Sequence, residues 1–160
     1  MNAAMDTSKG PRVYVPPPLL YVLFFLLANF LQKRFPLPTA LFEVIIIKIL
    51  GGLLTLIALL LLFRSLRQFF ITKNTVVLIK PARSLQTTGI YQLTRNPMYL
   101  GLVIAYLAVT SFWGNWWHII LLPILVLIVQ EYVIKSEERY LEAEFGAVYN
   151  AYRTKVRRWF

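Results

Sequence analysis

Two polar segments of this sequence carry the side chains that could do chemistry. Residues 83–101 contain Arg95 and Asn96, and residues 135–152 open with the neighbouring carboxylates Glu137 and Glu138. Guanidinium and amide groups donate hydrogen bonds to anions, whereas carboxylates accept hydrogen bonds and attract cations. The two segments together predict a polar binding pocket, provided that the rest of the chain brings them to one place.

Several enzyme classes lack their reactive groups here. The sequence has no cysteine and a single histidine, so a thiolate nucleophile, a disulfide framework and a zinc–thiolate site are excluded, and we predict no metal site. His118 lies within a tryptophan cluster, which we interpret as an interfacial aromatic belt. None of the seven glycines forms a GxGxxG or GxxxxGK[ST] loop, which excludes a Rossmann-type enzyme.

The elements that must position the two segments are hydrophobic helices. Of the 160 residues 58% are hydrophobic and only 15% are charged, which is atypical of a soluble domain. An apolar stretch of about 20 residues crosses the bilayer. The sequence therefore predicts an all-α, polytopic membrane protein with about four transmembrane helices. The four stretches are residues 14–31, 41–63, 98–113 and 116–134.

The polar segments connect and follow these spans within a single membrane domain, residues 1–160. Residues 64–97 are predicted to form a cytoplasmic, interfacial connector, and Gly114 with Asn115 predicts an antiparallel hairpin of the last two spans. We divide the domain into N-terminal spans, residues 1–74, and a second region, residues 75–160. An amphipathic helix is predicted from Lys135 onward. Its apolar face comprises Leu141, Phe145, Val148, Tyr152 and Val156.

The net charge of +10 points to a membrane surface and away from nucleic acid, because the basic residues flank the hydrophobic spans. With four spans, 14 of the 17 lysines and arginines lie on the side of both termini and the connector. The positive-inside rule makes that side cytoplasmic. The hairpin then brings Glu137 and Glu138 close to Arg95. Alternatively, Arg95 and Lys135 are ordinary interfacial anchors without a ligand.

Two strings carry a resemblance to a known family. They are TTGIYQLTRNPMYLG at residues 87–101 and EERYLEAEFGAVYNAY at residues 137–152. They resemble the C-terminal patterns TxGxYxxxRHPxYxG and EExxLxxxFGxxYxxY of the isoprenylcysteine carboxyl methyltransferase and phospholipid methyltransferase superfamily. Every fixed position matches except the histidine, which is Asn96. The likeness covers residues 75–158, about half of the chain.

The resemblance implies an integral-membrane methyltransferase that uses S-adenosylmethionine without a Rossmann fold, in a cytoplasmic pocket roofed by the C-terminal helices. The acceptor would be a lipid-like or small amphiphilic molecule from the membrane lipids. No catalytic residue is assigned, because an in-line methyl transfer is accelerated chiefly by positioning. The implied cofactor-binding residues are Arg83, Ser84, Leu85, Gln86, Gly89, Tyr91, Arg95, Asn96, Pro97, Met98, Tyr99, Glu137 and Glu138.

One departure from the family bears on the acceptor. Eukaryotic isoprenylcysteine methyltransferases carry an arginine one helical turn before the first glutamate, and this position is Val133 here. The departure favours an acceptor other than prenylcysteine. The alternative from another class is a four-span membrane transporter or scaffold protein without catalytic activity, and stabilisation by a cofactor analogue discriminates between the two.

Overall fold

The structure is a computed structural model, and it describes residues 11, 13–72, 82 and 84–159. Helices joined by turns and short loops make up this part of the chain. No strand occurs in these residues. The helices, in chain order, are α1 (Pro17–Arg34), α2 (Ile45–Ile71), α3 (Pro97–Trp113), α4 (Trp116–Ile128) and α5 (Lys135–Lys155). A π-helical segment, Val129–Ile134, joins α4 to α5, and 3-10 turns lie at Ala40–Glu43 and Gly89–Gln92.

Local sequence signals set the helix ends. Proline occupies the first turn of α1 and of α3, where its missing N–H costs no hydrogen bond. At the end of α3, Gly114 adopts a left-handed conformation with φ 74°, which glycine reaches without steric cost. Asn115 caps α4, because its side chain accepts from the Trp117 amide at 2.9 Å. Two residues thus suffice to connect α3 to α4.

The predicted antiparallel hairpin of α3 and α4 is confirmed. At one end the Tyr106 and His118 rings lie 5.6 Å apart. At the other end Tyr99 reaches Glu137, just beyond the π-helical segment. Helix α2 packs chiefly against α3, and α1 packs against α4. The hairpin therefore carries both polar segments to the same end of the bundle.

Two helices in the described part of the chain are long and apolar enough to cross a membrane: Ile45–Ile71 and the continuous helix Trp116–Lys155. The second helix is apolar up to Val129, carries Glu131 in its π-helical segment, and becomes rich in charged residues from Lys135 onward. Helix α3 is apolar but shorter. Helix α2 turns apolar side chains outward, with Leu56 60%, Leu59 59% and Phe63 65% exposed. Such a continuous apolar surface suits contact with lipid.

The predicted start of the connector is wrong. Helix α2 continues past residue 63 and ends at Ile71, so residues 64–71 belong to the helix although they include Arg64 and Arg67. Both side chains are exposed, and a helix that emerges from an apolar bundle loses nothing by carrying charges outward. Residues 73–81 of the connector, and with them the candidate Arg83, lie outside the described residues.

The predicted apolar face of the C-terminal helix is also wrong in one place. Gly146 has φ 50° and ψ −120°, a conformation that interrupts the helical periodicity of α5. Beyond this kink Val148 is 65% exposed, whereas Tyr149 is only 1% exposed. The kink, which a simple helical pattern does not anticipate, turns Tyr149 inward instead of Val148.

His118 does not belong to an interfacial belt. Its side chain is fully buried and stacks on Phe25 at 4.7 Å, with Tyr106 edge-on to it. The α1–α4 contact places it inside the bundle, because the histidine faces α1 while the neighbouring tryptophans are partly exposed. The interpretation from composition was wrong, since a cluster of aromatic residues does not reveal which of them faces inward.

Candidate functional site

The turn before α3 organises one wall of the candidate site. Pro97 starts the helix, and the Thr94 hydroxyl accepts from the Asn96 amide at 3.2 Å, which holds the turn in place. Both Thr94 and Asn96 are buried. Tyr99 then projects from the first turn of α3 and is also buried. The turn therefore presents Arg95 and Tyr99 toward the start of α5.

The first carboxylate of α5 meets the tyrosine of α3. The Tyr99 hydroxyl donates to Glu137 Oε2 at 2.8 Å. None of the ion pairs between described residues includes Glu137. Burial raises the pKa of Glu137 to about 7, and the Glu138 charge also raises it while the Tyr99 hydrogen bond lowers it. This carboxyl group therefore changes charge near neutral pH.

The second carboxylate is held by two arginines. Arg95 Nη1 lies 3.1 Å from Glu138 Oε1, and Arg158 donates from Nε at 2.9 Å and from Nη2 at 2.7 Å. Arg95 Nη1 also donates to the Tyr149 hydroxyl at 3.0 Å. The Glu138 side chain is only 12% exposed. Two adjacent glutamates thus have different environments, one compensated by cations and one not.

Tyr91 joins the site from the 3-10 turn. Its carbonyl accepts from the Tyr152 hydroxyl at 2.6 Å, and its side chain is hydrogen-bonded to Ser65 of α2. Burial, followed by the Glu137 charge, raises the pKa of Tyr91, which places the phenol within electrostatic reach of that carboxylate. Tyr91 therefore links α2, the connector and α5 at the site.

The segment upstream of the 3-10 turn is ordered by local contacts. Gln86 is buried, and its Nε2 donates to the Ser84 carbonyl at 3.2 Å and to the Ser84 hydroxyl at 3.0 Å. Leu85 is partly buried and Gly89, with φ 62°, is exposed. The Ala82 amide donates to the Tyr140 hydroxyl at 2.8 Å, which ties this segment to α5.

The structure brings some predicted residues into direct contact and leaves others at the margin. Arg95, Tyr99, Glu137 and Glu138 form the contacts described above, with Tyr91 beside them. The Asn96 side chain donates to the Arg158 carbonyl at 3.0 Å. Pro97 is buried and Met98 is partly buried within the first turn of α3.

Three participants were missed from the sequence: Ser65, Thr94 and Arg158. Ser65 lies between Arg64 and Arg67 on α2, so the sequence gives no signal that it faces inward, and its complete burial becomes visible only in the packed bundle. Thr94 occupies a variable position of the first pattern, and Arg158 lies after the second one.

Val133 lies in an apolar environment. It is fully buried and packs in a cluster with Tyr21, Tyr99 and Val129. Three cations near this end of the bundle are paired: Lys135 lies 2.7 Å from Glu131, and Arg95 and Arg158 hold Glu138. The position that precedes Glu137 by one turn thus offers packing and no charge.

A family model adds the decisive comparison. The model described as phospholipid methyltransferase matches residues 46–148, which include α2, α3, α4 and both glutamates of α5. The chain belongs to the phospholipid methyltransferase family. Membership makes it a membrane protein of a methyltransferase family. The matched region ends before Arg158.

One relative extends this comparison. An uncharacterized protein from Haemophilus influenzae is 43% identical over 65 residues, which make up 39% of this chain and 98% of that protein. No solved structure matches. The family thus supplies the class of reaction, and the cofactor and the acceptor have to be argued from the side chains at the site.

Proposed function

We propose that this protein is an integral-membrane methyltransferase that uses S-adenosylmethionine and modifies a lipid-like or small amphiphilic acceptor. The observation that carries the proposal is the partly buried carboxyl group of Glu137, which receives a hydrogen bond from Tyr99 and has no cationic partner among the described residues. A buried carboxylate without a cation is costly. A ligand with an ammonium group or a ribose diol offsets this cost.

The candidate residues fit this cofactor. S-adenosylmethionine supplies an electrophilic methyl group on its sulfonium, together with an ammonium, a carboxylate and a ribose diol. Glu137 accepts from the ammonium or the ribose, and the backbone amides of residues 84–86 and of Met98 and Tyr99 donate to the carboxylate. Tyr91 and Tyr99 provide apolar walls that exclude water. We assign Arg95, Asn96 and Glu138 to positioning, because their side chains already engage protein groups.

Binding of a cofactor analogue tests the function. The detergent-solubilised protein is expected to gain about 2.7 kcal/mol of stability when S-adenosylhomocysteine is present at 100 times its dissociation constant. The measurement is thermal unfolding with and without the analogue, with adenosine alone as the control. If millimolar S-adenosylhomocysteine neither stabilises the protein nor produces heat of binding, the proposal is contradicted and the alternative of a membrane transporter or scaffold protein is favoured.

The acceptor is proposed to be other than a prenylcysteine carboxylate. A carboxylate brought into a partly dehydrated pocket needs a cation, whereas Val133 is packed in an apolar cluster. Lys135, Arg95 and Arg158 are each already paired with a glutamate. In a labelled methyl-transfer assay, membrane lipid extracts are expected to be methylated at least tenfold faster than a farnesylcysteine analogue. The proposal would be contradicted if the farnesylcysteine analogue were methylated faster than the lipid extracts, both by the wild-type protein and by the Val133→Ala protein.

We further propose four transmembrane crossings with both termini in the cytoplasm. The proposal rests on the uneven distribution of lysine and arginine and on the hairpin, which separates Asn115 from the α5 end of the bundle. Single cysteines at Ala151 and at Asn115 are expected to react with a membrane-impermeant maleimide from opposite sides, Ala151 from the cytoplasm. Labelling of both from the same side contradicts this topology.

A further inference from the structure

The chain leaves α5 as a short extended tail, residues 156–159, which we call the C-terminal strap. The Arg158 carbonyl accepts from the Thr94 hydroxyl and from Asn96 Nδ2, both at 3.0 Å. The Arg157 carbonyl accepts from the Arg95 amide at 3.0 Å. The strap thus lies along the whole turn that precedes α3, and it falls outside the region matched by the family model.

The strap is also anchored through side chains. Arg158 holds Glu138 with two hydrogen bonds, at 2.9 and 2.7 Å, a forked geometry that fixes both partners. Trp159 Nε1 donates to Gln130 Oε1 at 3.0 Å, which ties the strap to the π-helical segment. The strap therefore connects the Thr94–Asn96 turn before α3 with Glu138 of α5 and with the π-helical segment.

The position of Glu138 matters for its neighbour. Among the residues that the structure describes, the titratable groups that face Glu137 are Tyr99 from α3, Tyr91 from the 3-10 turn and Glu138 from α5 itself. Two adjacent carboxylates oppose each other's ionisation. The guanidinium groups of Arg95 and Arg158 offset the charge of Glu138, and neither forms an ion pair with Glu137.

We propose that Arg158 is a positioning residue of the candidate site, which clamps the strap and Glu138 against the Thr94–Asn96 turn and thereby keeps Glu137 ionised beside Tyr99 and available to a cationic ligand. The ligand named for this role rests on the proposed function. The effect on Glu137 does not, because it is a property of the ligand-free protein.

Removal of Arg158 has a consequence that a purely structural role would lack. Burial already raises the pKa of Glu137 to about 7, and the loss of one of the two cations around Glu138 raises it further. A carboxyl group with a raised pKa binds its proton more tightly in the folded state than in the unfolded state. Stability therefore falls as pH rises from the unfolded pKa to the folded pKa, and the upper end of this window moves upward in the variant.

The experiment compares Arg158→Gln and Arg158→Lys with Arg153→Gln. Arg153 is a matched control because it also pairs with a glutamate, Glu142, but at the surface. Two quantities are measured between pH 5 and 9: the affinity for S-adenosylhomocysteine, and the unfolding free energy without ligand. The unfolding free energy is taken as the difference between each protein and its Glu137→Gln counterpart, which isolates the titration of Glu137.

Arg158→Gln is expected to move the pH midpoint of both quantities upward by about 0.5 to 1 unit. At pH 7 this corresponds to a loss of affinity of about two- to sixfold, and the loss becomes smaller toward pH 9. Arg158→Lys keeps the charge and is expected to keep the midpoint closer to that of the wild type. Arg153→Gln is expected to leave it unchanged.

Three results would overturn the proposal: an unchanged midpoint in Arg158→Gln, an equal shift in Arg153→Gln, or a loss of affinity that is the same at every pH. If Arg158→Gln does not fold, the double variant Glu138→Gln/Arg158→Gln takes its place. Its midpoint is expected at or below that of the wild type, and a higher one overturns the proposal. If the wild type binds no S-adenosylhomocysteine but the pH midpoint of the unfolding free energy without ligand still shifts in Arg158→Gln, then the proposed function fails and the role of Arg158 stands.

Discussion

Replacement of Glu137 by glutamine is expected to weaken the binding of S-adenosylhomocysteine about 10- to 100-fold, which corresponds to the roughly 1.5–3 kcal/mol of a hydrogen bond to a charged group. Glutamine retains the shape and one acceptor oxygen but loses the charge that meets the ammonium. The Tyr99 hydroxyl can still donate to the amide oxygen, so the fold is expected to persist. Calorimetric titration of the purified variant in detergent measures the loss.

The pH dependence sharpens this prediction. A cationic ligand binds the ionised carboxylate, and burial raises the pKa of Glu137 to about 7, so the wild-type affinity is expected to fall as pH is lowered from 8 to 6. The limiting slope is about tenfold per pH unit below the pKa. Glu137→Gln should show a flat profile over this range. The matched control is Glu142→Gln, at an exposed glutamate on the same helix, which should keep the wild-type affinity and pH profile. A weakened affinity with a flat profile in this control, as in Glu137→Gln, would contradict a specific role for Glu137.

Much of the architecture could be predicted from hydrophobicity alone. The four apolar runs correspond to α1, α2, α3 and the α4–π segment within a few residues, except at the end of α2, which continues to Ile71. The reason is that an uninterrupted apolar sequence has few alternatives to a helix in a membrane. Gly114 and Asn115 predict the hairpin, because a two-residue connection between α3 and α4 leaves no room for another arrangement of the two helices. The convergence of Tyr99 with Glu137 follows from that hairpin.

The remaining features depend on tertiary contacts that carry no periodic signal. The strap is extended and too short to show a pattern, yet Arg158 contacts three parts of the site through its carbonyl and its side chain. The kink at Gly146 requires a positive φ, and a glycine within an otherwise helical sequence does not by itself predict a kink. The charged residues after Phe63 predict the end of α2 too early, because Arg64 and Arg67 are exposed on the part of the helix that emerges from the apolar bundle.

The two glutamates illustrate the same limit at the level of chemistry. In the sequence Glu137 and Glu138 are equivalent neighbours, and both were predicted to bind the cofactor. The helix sends them in different directions, so that one reaches Tyr99 and the other reaches Arg95 and Arg158. We therefore expect replacement of Glu137 to weaken ligand binding and replacement of Glu138 to destabilise the fold.

The replacement of Glu138 by glutamine is expected to lower the free energy of unfolding by about 3 kcal/mol, the lower end of the range for breaking a buried ion pair. The lower end applies because Arg158 is 31% exposed while Arg95 is only 10% exposed. The loss arises from Arg95, whose guanidinium would remain buried without a carboxylate. Unfolding by denaturant in mixed micelles measures it, with Glu131→Gln as a surface control of less than about 1 kcal/mol.

A second substitution distinguishes this explanation from a packing defect. If the cost of Glu138→Gln comes from cations left without a partner, then removal of Arg158 as well should cost less than the sum of the two single losses. Residues that share an ion pair typically show a coupling of about 0.5–3 kcal/mol in such a cycle. Strict additivity of Glu138→Gln and Arg158→Gln would mean that the strap is held by its backbone hydrogen bonds to Thr94 and Asn96. In that case the forked pair between Arg158 and Glu138 would contribute nothing of its own to the closure of the site.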